Sequence, residues 1–185
     1  MVEDVITESE SRMAKVVESL RKDLAAIRTG RASPALVERI TVDYYGTPTH
    51  IYQLATISVP EARLIVIQPY EKNMVGPVEK AILKSELGLT PINDGRVIRL
   101  GIPQLTEERR KDLVKVVRRR VEEAKVAARN IRRESHEDLK ELDKEKIISQ
   151  DEERRAQERL QKVTDHFMDE IDRVGQTKEA EVLEV

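Results

Sequence analysis

The sequence contains no cysteine and no tryptophan, and it has a single phenylalanine among 185 residues. The absence of cysteine excludes disulfides, thiolate metal sites and cysteine nucleophiles. Aromatic residues make up only 3% of the chain, which argues against the aromatic stacking platforms of single-strand binders. Charged residues make up 37%. We therefore expect long helices with thin, aliphatic cores.

Long apolar runs are also missing. No stretch approaches the 18 or so apolar residues that a membrane-spanning helix needs. The first four residues, Met1 to Asp4, include two acids and lack the basic start of a signal peptide. We therefore expect a cytoplasmic protein with no membrane partner. The length allows one large domain or two small ones.

Glycine and proline are absent from residues 106–147, although the chain has seven of each. Apolar residues recur there three, four or seven positions apart, which predicts one long helix of roughly 60 Å with a single apolar seam. Thr106 is a candidate cap for its first turn. Other helices must cover the seam, because a lone helix of this kind is unstable. The predicted seam residues are Leu113, Val117, Ala124, Ala127 or Ala128, Ile131, Leu139 and Leu142.

A row of basic residues runs along the same helix, and we predict that it lies on the face opposite the seam. Residues 109–133 hold eleven basic and three acidic residues, whereas residues 134–185 hold nine and seventeen. A solvated helix face is the ordinary explanation, but a single-signed row gains few salt bridges and carries repulsion. We therefore favour a polyanionic partner, most simply a phosphate backbone. The row, interrupted by Glu122, is Lys111, Lys115, Arg118, Lys125, Arg129 and Arg132, with Arg133 beside it.

Two further segments have matching helical seams. Residues 2–28 show a heptad pattern, and the segment after Ser149 begins with a capping box completed by Glu152 and runs to about Val182. Three such helices predict an antiparallel three-helix bundle. The first seam is Ile6, Ser9, Met13, Val16 or Val17, Leu20, Leu24 and Ile27. The last is Ala156, Leu160, Val163, Phe167, Ile171 and Val174.

Residues 31–104 differ in character, since they hold all seven prolines and five of the seven glycines. We predict strands at residues 39–45, 64–68 and 97–102, and one or two more within 51–59, with a turn at 44–48. A helix is predicted at residues 74–87, with Val78, Ile82 and Leu83 facing inward. The fold class is therefore α+β: a bundle domain (1–30 and 105–185) and a small inserted β/α/β domain (31–104). The predicted hinge between them comprises Gly30, Arg31, Pro103, Gln104 and Leu105.

No pattern points to catalysis. The three histidines, His50, His136 and His166, lack partners at metal-site spacing, and His136 continues the basic row. The glycines form no phosphate-binding loop, and no serine has a nucleophile-elbow context. We therefore expect no catalytic residue, no metal and no cofactor, in a protein that acts by binding.

Four motifs, taken together, resemble those of the bacterial ribosome recycling factor family. They are IRTGRASP at residues 27–34, DYYGTP at 43–48, PQLTEERRKDL at 103–113 and VAARNIRR at 126–133. The first resembles the family's entry into its inserted domain, the second its first hairpin, the third its hinge and helix start, and the fourth its central basic segment. The resemblance covers the whole chain in the right order.

The resemblance implies an L-shaped, two-domain protein similar in outline to transfer RNA. Such a factor binds the large ribosomal subunit after termination and, with elongation factor G and that factor's GTP hydrolysis, splits the subunits. The smaller domain faces the elongation factor, and the bundle contacts ribosomal RNA. These contacts carry over onto Arg129, Arg132 and Arg133, and by extension onto Arg28, Arg31, Arg109 and Arg110. The rest of the basic row, Lys111, Lys115, Arg118 and Lys125, is assigned to the same surface.

Two further properties are predicted from the sequence. We expect a monomer, and we expect Arg120, which falls near the apolar seam by helical phase, to extend its side chain out from under the third helix. The alternative function is a coiled-coil scaffold or adaptor that binds proteins. The salt dependence of binding distinguishes this alternative from RNA binding, because phosphate contacts weaken steeply with salt and an apolar interface does not.

Overall fold

The computed structural model describes residues 1–184, and the chain forms two compact units. The larger unit comprises Met1–Thr29 together with the described residues from Glu107 onward, and the smaller unit is Gly30–Thr106. The chain therefore passes between the units twice. Gly30, Leu105 and Thr106 lie in the smaller unit.

The larger unit consists of three long helices: α1 (Val2–Ala25), α4 (Glu107–Lys144) and α5 (Gln150–Leu183). Near the start of α1, Ile6 packs with Leu139 and Leu160. Near its end, Leu20 and Val17 pack with residues of early α4 and late α5, among them Val117 and Ile171. This order makes α1 antiparallel to α4 and parallel to α5, which confirms the antiparallel three-helix bundle.

The buried seams follow the predicted periodicity and resolve both open alternatives. Val17 is 3% exposed while Val16 is only partly buried, and Ala128 is fully buried while Ala127 is not. Ser9 is a true seam residue. Its hydroxyl donates to the Val5 carbonyl at 2.8 Å and lies 2.5 Å from the buried Ser135 hydroxyl on α4. This hydrogen-bonded pair places a polar contact inside the aliphatic core.

Several seam positions differ from the prediction. The buried residues that were not predicted include Val114 and Ser135 on α4 and Thr164 and Gly175 on α5. Val121, not Arg120, turns toward the core of the bundle, where it lies against Gly175 of α5. Arg120 is exposed, and its Nη1 lies 3.3 Å from Glu123 Oε2 on the same helix. Arg120 therefore reaches solvent, and its ion pair is with α4 itself rather than with the third helix. The seam runs in steps of four, four, three and four residues, so it departs from the strict heptad, which would take a step of three after Val117. The residues are Leu113, Val117, Val121, Ala124 and Ala128.

The helix ends are largely as predicted. Ser149 Oγ accepts a hydrogen bond from the Glu152 N–H at 3.1 Å, and Glu152 Oε2 accepts one from the Ser149 N–H at 2.9 Å. This confirms the capping box at the start of α5. The first helix ends at Ala25, three residues earlier than predicted, so Ile27 lies beyond it. The long helix ends at Lys144, before a turn in which Lys146 has a φ of 58°.

The smaller unit contains a four-stranded antiparallel sheet in the order β3-β4-β6-β5, a separate hairpin of β1 and β2, and the helices α2 and α3. Its core joins Val78 and Ile82 on the longer helix to Ile65, Ile67 and Ile98 on the sheet. The bounds are β1 Thr41–Tyr44, β2 Thr47–His50, α2 Ile51–Leu54, β3 Ala55–Glu61, β4 Leu64–Pro69, α3 Val75–Lys84, β5 Pro91–Asn93 and β6 Ile98–Gly101, with short 3-10 helices at Pro34–Leu36 and Lys72–Met74.

The turn between β1 and β2 explains the glycine in the DYYGTP motif. Tyr45 and Gly46 have φ values of 50° and 86°, the left-handed pair that a two-residue hairpin turn requires. The Gly46 N–H donates to Asp43 Oδ1 at 2.8 Å. A turn within the predicted residues 44–48 is thus confirmed, but only Tyr45 and Gly46 form it, because Tyr44, Thr47 and Pro48 belong to the paired strands.

Several details of the smaller unit differ from the prediction. The strand β2 was not predicted, and α3 ends at Lys84 rather than at residue 87. Residues 51–54 form a helical turn rather than the start of a strand, because Ile51 and Leu54 are both buried at helical rather than alternating spacing. Leu83 is 57% exposed, so only Val78 and Ile82 of the predicted trio face inward. The three-residue strand β5 was not predicted, since it begins at Pro91 and is too short to show alternation.

No helix within residues 1–184 is both long and apolar enough to cross a membrane.

Candidate nucleic-acid interface

The basic residues of α4 stand on an uninterrupted helix, so their directions follow from their spacing. Each residue rotates by about 100° around the helix axis. The fully buried Val117 marks the direction of the core. Most residues of the basic row fall one position after a buried seam residue, as Arg118 follows Val117 and Lys125 follows Ala124. The row therefore lies beside the seam.

This geometry overturns the prediction that the basic row lies opposite the seam. Lys125 Nζ lies 2.6 Å from Asp172 Oδ1 on α5, and the lysine side chain is only 22% exposed. Arg118 Nε lies 3.0 Å from Glu179 Oε1, also on α5. A residue one position after a seam residue points about 100° away from the core. A residue two positions after it points about 200° away, which is almost the opposite direction. Part of the row thus holds α4 and α5 together.

The central basic segment is less tightly engaged. Arg129 Nη1 lies 3.2 Å from Glu122 Oε1, so the acid that interrupts the row pairs with a member of it. Arg132 Nη1 donates to Gln161 Oε1 at 3.4 Å, a long contact with a neutral partner. Arg133 is exposed and has no ion pair within residues 1–184. These three arginines are therefore accessible to an external anion.

His136, which continues the row in sequence, is directed at α5. Its Nδ1 lies 2.6 Å from Gln157 Oε1, and Gln157 Nε2 donates to the His136 carbonyl at 3.1 Å. The ring is half-buried. His136 thus lies in line with the basic row but makes a contact between α4 and α5.

The remaining predicted residues lie in different places. Lys111 is exposed and pairs with Glu107 at 3.0 Å, one turn earlier. Lys115 is exposed and has no ion pair in the described part of the chain. Arg109 is exposed, and Arg110 is half-buried. Arg28 and Arg31 are both exposed, but Arg28 belongs to the larger unit and Arg31 to the smaller one.

Arg119 was not among the RNA-binding residues predicted from the sequence. This arginine is exposed, and the structure shows no ion pair for it within residues 1–184. It stands two positions after Val117, so it points almost directly away from the core. The signal was available, because counting the phase from the seam rather than from the basic row identifies this position.

The two ion-paired carboxylates with depressed pKa values lie away from the basic row. Hydrogen bonding and charge interaction with Arg159 lower the pKa of the Glu3 carboxyl. In the smaller unit, hydrogen bonds from the Val97 and Arg96 backbone N–H groups and from Arg99 hold the pKa of Asp94 far below its usual range. Both carboxylates make structural contacts. Within the described residues, no three His, Asp or Glu side chains converge as a metal site would require.

The predicted hinge contains one constrained contact. Gly30 has a φ of +76°, and a Cβ at this position would lie 3.1 Å from Leu105 Cγ. Glycine is favoured here both by the left-handed backbone and by the closeness of Leu105. The two segments of the predicted hinge, residues 30–31 and 103–105, thus come close together at Gly30 and Leu105.

Comparisons with known proteins point in one direction. A family model described as "Ribosome recycling factor" matches residues 20–183. Ribosome-recycling factors of Roseiflexus sp. (strain RS-1) and Syntrophomonas wolfei are 63% and 59% identical, over the full length of both chains in each case. A solution structure of a ribosome recycling factor is similar with a TM-score of 0.76 and 49% identity, covering 100% of this chain and 98% of that one.

A second solved structure adds a ribosomal context for the relative. It is described as models for the T. thermophilus ribosome recycling factor and the E. coli elongation factor G bound to the E. coli post-termination complex. The similarity has a TM-score of 0.63 and 45% identity, with 99% of each chain covered.

Proposed function

This chain belongs to the ribosome recycling factor family, and from that premise we propose that it binds the large ribosomal subunit of post-termination complexes and splits the subunits together with elongation factor G. Family membership makes it a non-enzymatic translation factor. GTP hydrolysis belongs to the elongation factor. The chain itself acts as a monomer in the cytoplasm, without a cofactor.

The positive charge of α4 supports ribosomal RNA as the direct ligand. Residues 109–133 carry eleven basic and three acidic residues. Among them, Lys115, Arg119 and Arg133 are exposed and have no ion pair within residues 1–184. Such a surface attracts phosphates and releases their counterions on binding. We assign the central contacts to Arg129, Arg132 and Arg133. The surrounding cations that we assign to the same surface are Arg28, Arg31, Arg109, Arg110, Lys111, Lys115, Arg118 and Lys125.

The smaller unit is proposed to face elongation factor G. A similar ribosome recycling factor is described together with elongation factor G on the post-termination complex, which supports the elongation factor as a partner. This division assigns RNA to the bundle and the protein partner to the inserted unit. A factor that must respond to a second protein while held on RNA needs two such surfaces. Gly30 and Leu105 mark the connection between them along the chain.

A double substitution tests the RNA assignment. We expect Arg129→Ala with Arg132→Ala to weaken binding to purified large ribosomal subunits and to reduce the salt slope by about one unit per lost phosphate contact. The fold should persist, because neither arginine belongs to the buried core. The measurement is affinity over a series of salt concentrations.

The matched control is Arg154→Ala with Arg155→Ala, which removes the same charge from exposed positions at the start of α5. This control should leave the salt slope nearly unchanged. If both double variants lose the same affinity and slope, only net charge matters and the assignment to Arg129 and Arg132 fails. A wild-type affinity that does not depend on salt would favour the scaffold alternative.

A further inference from the structure

Three consecutive arginines on α4 face three different environments. Arg118 pairs with Glu179 of α5 at 3.0 Å, on one flank of the seam. Arg120, on the other flank, pairs with Glu123 at 3.3 Å. Arg119 lies between them, about 200° around the axis from the buried Val117, and points away from the bundle. Only the middle arginine lacks an ion pair within residues 1–184.

The acids nearest to Arg119 along the helix are already paired. Glu122 pairs with Arg129 at 3.2 Å, and Glu123 pairs with Arg120. Their negative charges are thus offset by other arginines. The charge of Arg119 remains available to an external ligand, in contrast to the charges of its two neighbours.

Lys115 and Arg133 share this environment. Both are exposed, and neither has an ion pair in the described part of the chain. By helical rise, Lys115 lies about 6 Å before Arg119 along the axis and Arg133 about 21 Å after it. By phase, each of the three points to within roughly 20° of the direction opposite Val117, so they lie within about 40° of one another. We call Lys115, Arg119 and Arg133 the outward row.

We propose that the outward row makes direct phosphate contacts and that Arg119 is a phosphate-binding residue of this chain, an inference that rests on the RNA-binding function proposed above. A cation already held by a carboxylate must give up that pair before it can bind a phosphate. A cation that makes no ion pair breaks no such contact when it binds a phosphate, and the counterions of that phosphate are released. Arg118 and Lys125 therefore stabilise the packing of α5 on α4 and contribute to RNA binding mainly through their long-range field.

Single alanine substitutions at the three consecutive arginines provide the test. Each of Arg118→Ala, Arg119→Ala and Arg120→Ala removes one positive charge within two residues of the others. We expect Arg119→Ala to reduce the salt slope for binding to purified bacterial large ribosomal subunits by about one unit and the affinity at low salt by roughly threefold or more. Arg118→Ala and Arg120→Ala should each have less than half of that effect on the slope.

Two further measurements complete the test. Arg119→Lys should restore the salt slope, because it keeps the charge. Thermal melts should show Arg119→Ala unchanged, since this exposed side chain makes no ion pair or side-chain hydrogen bond within residues 1–184. Equal effects from the three alanine variants, or a larger effect from Arg118→Ala, would overturn the assignment of Arg119 while leaving RNA binding by α4 intact. Salt-independent binding of the wild-type chain would overturn both the proposed function and this assignment.

Discussion

At the scale of single residues, Gly175 determines how closely the two longest helices approach. A Cβ at this position would lie 2.5 Å from Val121 Cγ2. Valine has one strongly preferred rotamer in a helix and cannot turn aside easily. The absence of a side chain at residue 175 is therefore what allows Val121 to fill its seam position.

We predict that Gly175→Ala lowers the free energy of unfolding, although alanine is the better helix former. Overpacking typically costs about 1–3 kcal/mol, against a gain of about 1 kcal/mol in helix propensity. A double-mutant cycle with Val121→Ala isolates the contact. The loss in the free energy of unfolding should be smaller for the double variant than the sum of the losses for the two single variants. Strictly additive free energies in chemical denaturation would contradict the close approach.

Asp94 organises the turn between β5 and β6. Its Oδ1 accepts hydrogen bonds from the Arg96 and Val97 N–H groups at 2.9 Å each, and its Oδ2 accepts one from Arg99 at 2.7 Å. These contacts favour the carboxylate and lower its pKa. A depressed folded-state pKa stabilises the protein above the unfolded pKa of about 3.9, and this stabilisation is lost as the pH falls below it.

We therefore predict that the smaller unit loses stability as the pH falls from 5 to 2, and that Asp94→Asn flattens this dependence. Asparagine keeps the Oδ1 acceptor but not the charge. All four tyrosines lie in the smaller unit, so tyrosine fluorescence during urea unfolding measures it selectively. Glu86→Gln is the control, because Glu86 is exposed without a described partner. If both variants retain the wild-type pH dependence, Asp94 is not the titrating group.

At the scale of elements, the long helices depend on thin seams of small and aliphatic side chains. Alanines at residues 124, 128 and 156 are buried, and the single phenylalanine is only partly so. Few large side chains are available to compensate for a deletion. Each buried leucine or isoleucine therefore carries a large share of the packing energy.

Leu20→Ala and Ile131→Ala should each lower the free energy of unfolding by about 2–5 kcal/mol. The two side chains are 2% and 6% exposed, on α1 and α4 respectively. Val126→Ala, on the same helix as Ile131 but 43% exposed, should change it by less than about 0.5 kcal/mol. Thermal and chemical denaturation measure all three. A Val126 effect as large as that of Ile131 would mean that the seam is misassigned.

At the scale of the whole molecule, two connections join the units, at Thr29–Gly30 and at Thr106–Glu107. The predicted hinge combines a permissive residue with a restricted one. Gly30 adopts a left-handed φ, whereas the ring of Pro103 restricts the φ angle of that residue. Rigid units joined by short segments commonly move as bodies. We propose that the elongation factor moves the smaller unit while the bundle stays on RNA.

A reversible lock tests this motion. Because the chain has no cysteine, one cysteine introduced into each unit beside the hinge would form the only possible disulfide. We expect the oxidised protein to bind large subunits normally but to fail in subunit splitting with elongation factor G and GTP. The reduced form of the same variant is the control. Splitting at the wild-type rate by the oxidised form would refute the hinge mechanism and leave the RNA assignment untouched.

From local patterns, the sequence predicted the three long helices, the capping box at Ser149 and most of the seam positions. It also determined the family, through motifs that span the chain. These features are local or periodic, so they are written in the spacing of residues along one helix or one turn. The exposed fractions at Val17 and Ala128 then selected between neighbours that periodicity leaves equivalent.

The tertiary structure alone decided which neighbour each helix face meets. Spacing gives the angle of Lys125 around α4, but only the placement of α5 shows that Asp172 occupies that direction. The same holds for Val121, which the closeness of Gly175 brings into the seam. Short segments such as residues 51–54 and 91–93 have too few residues for a period, so the surrounding core decides their conformation. Contacts between distant residues depend on how elements pack, and no local pattern encodes them.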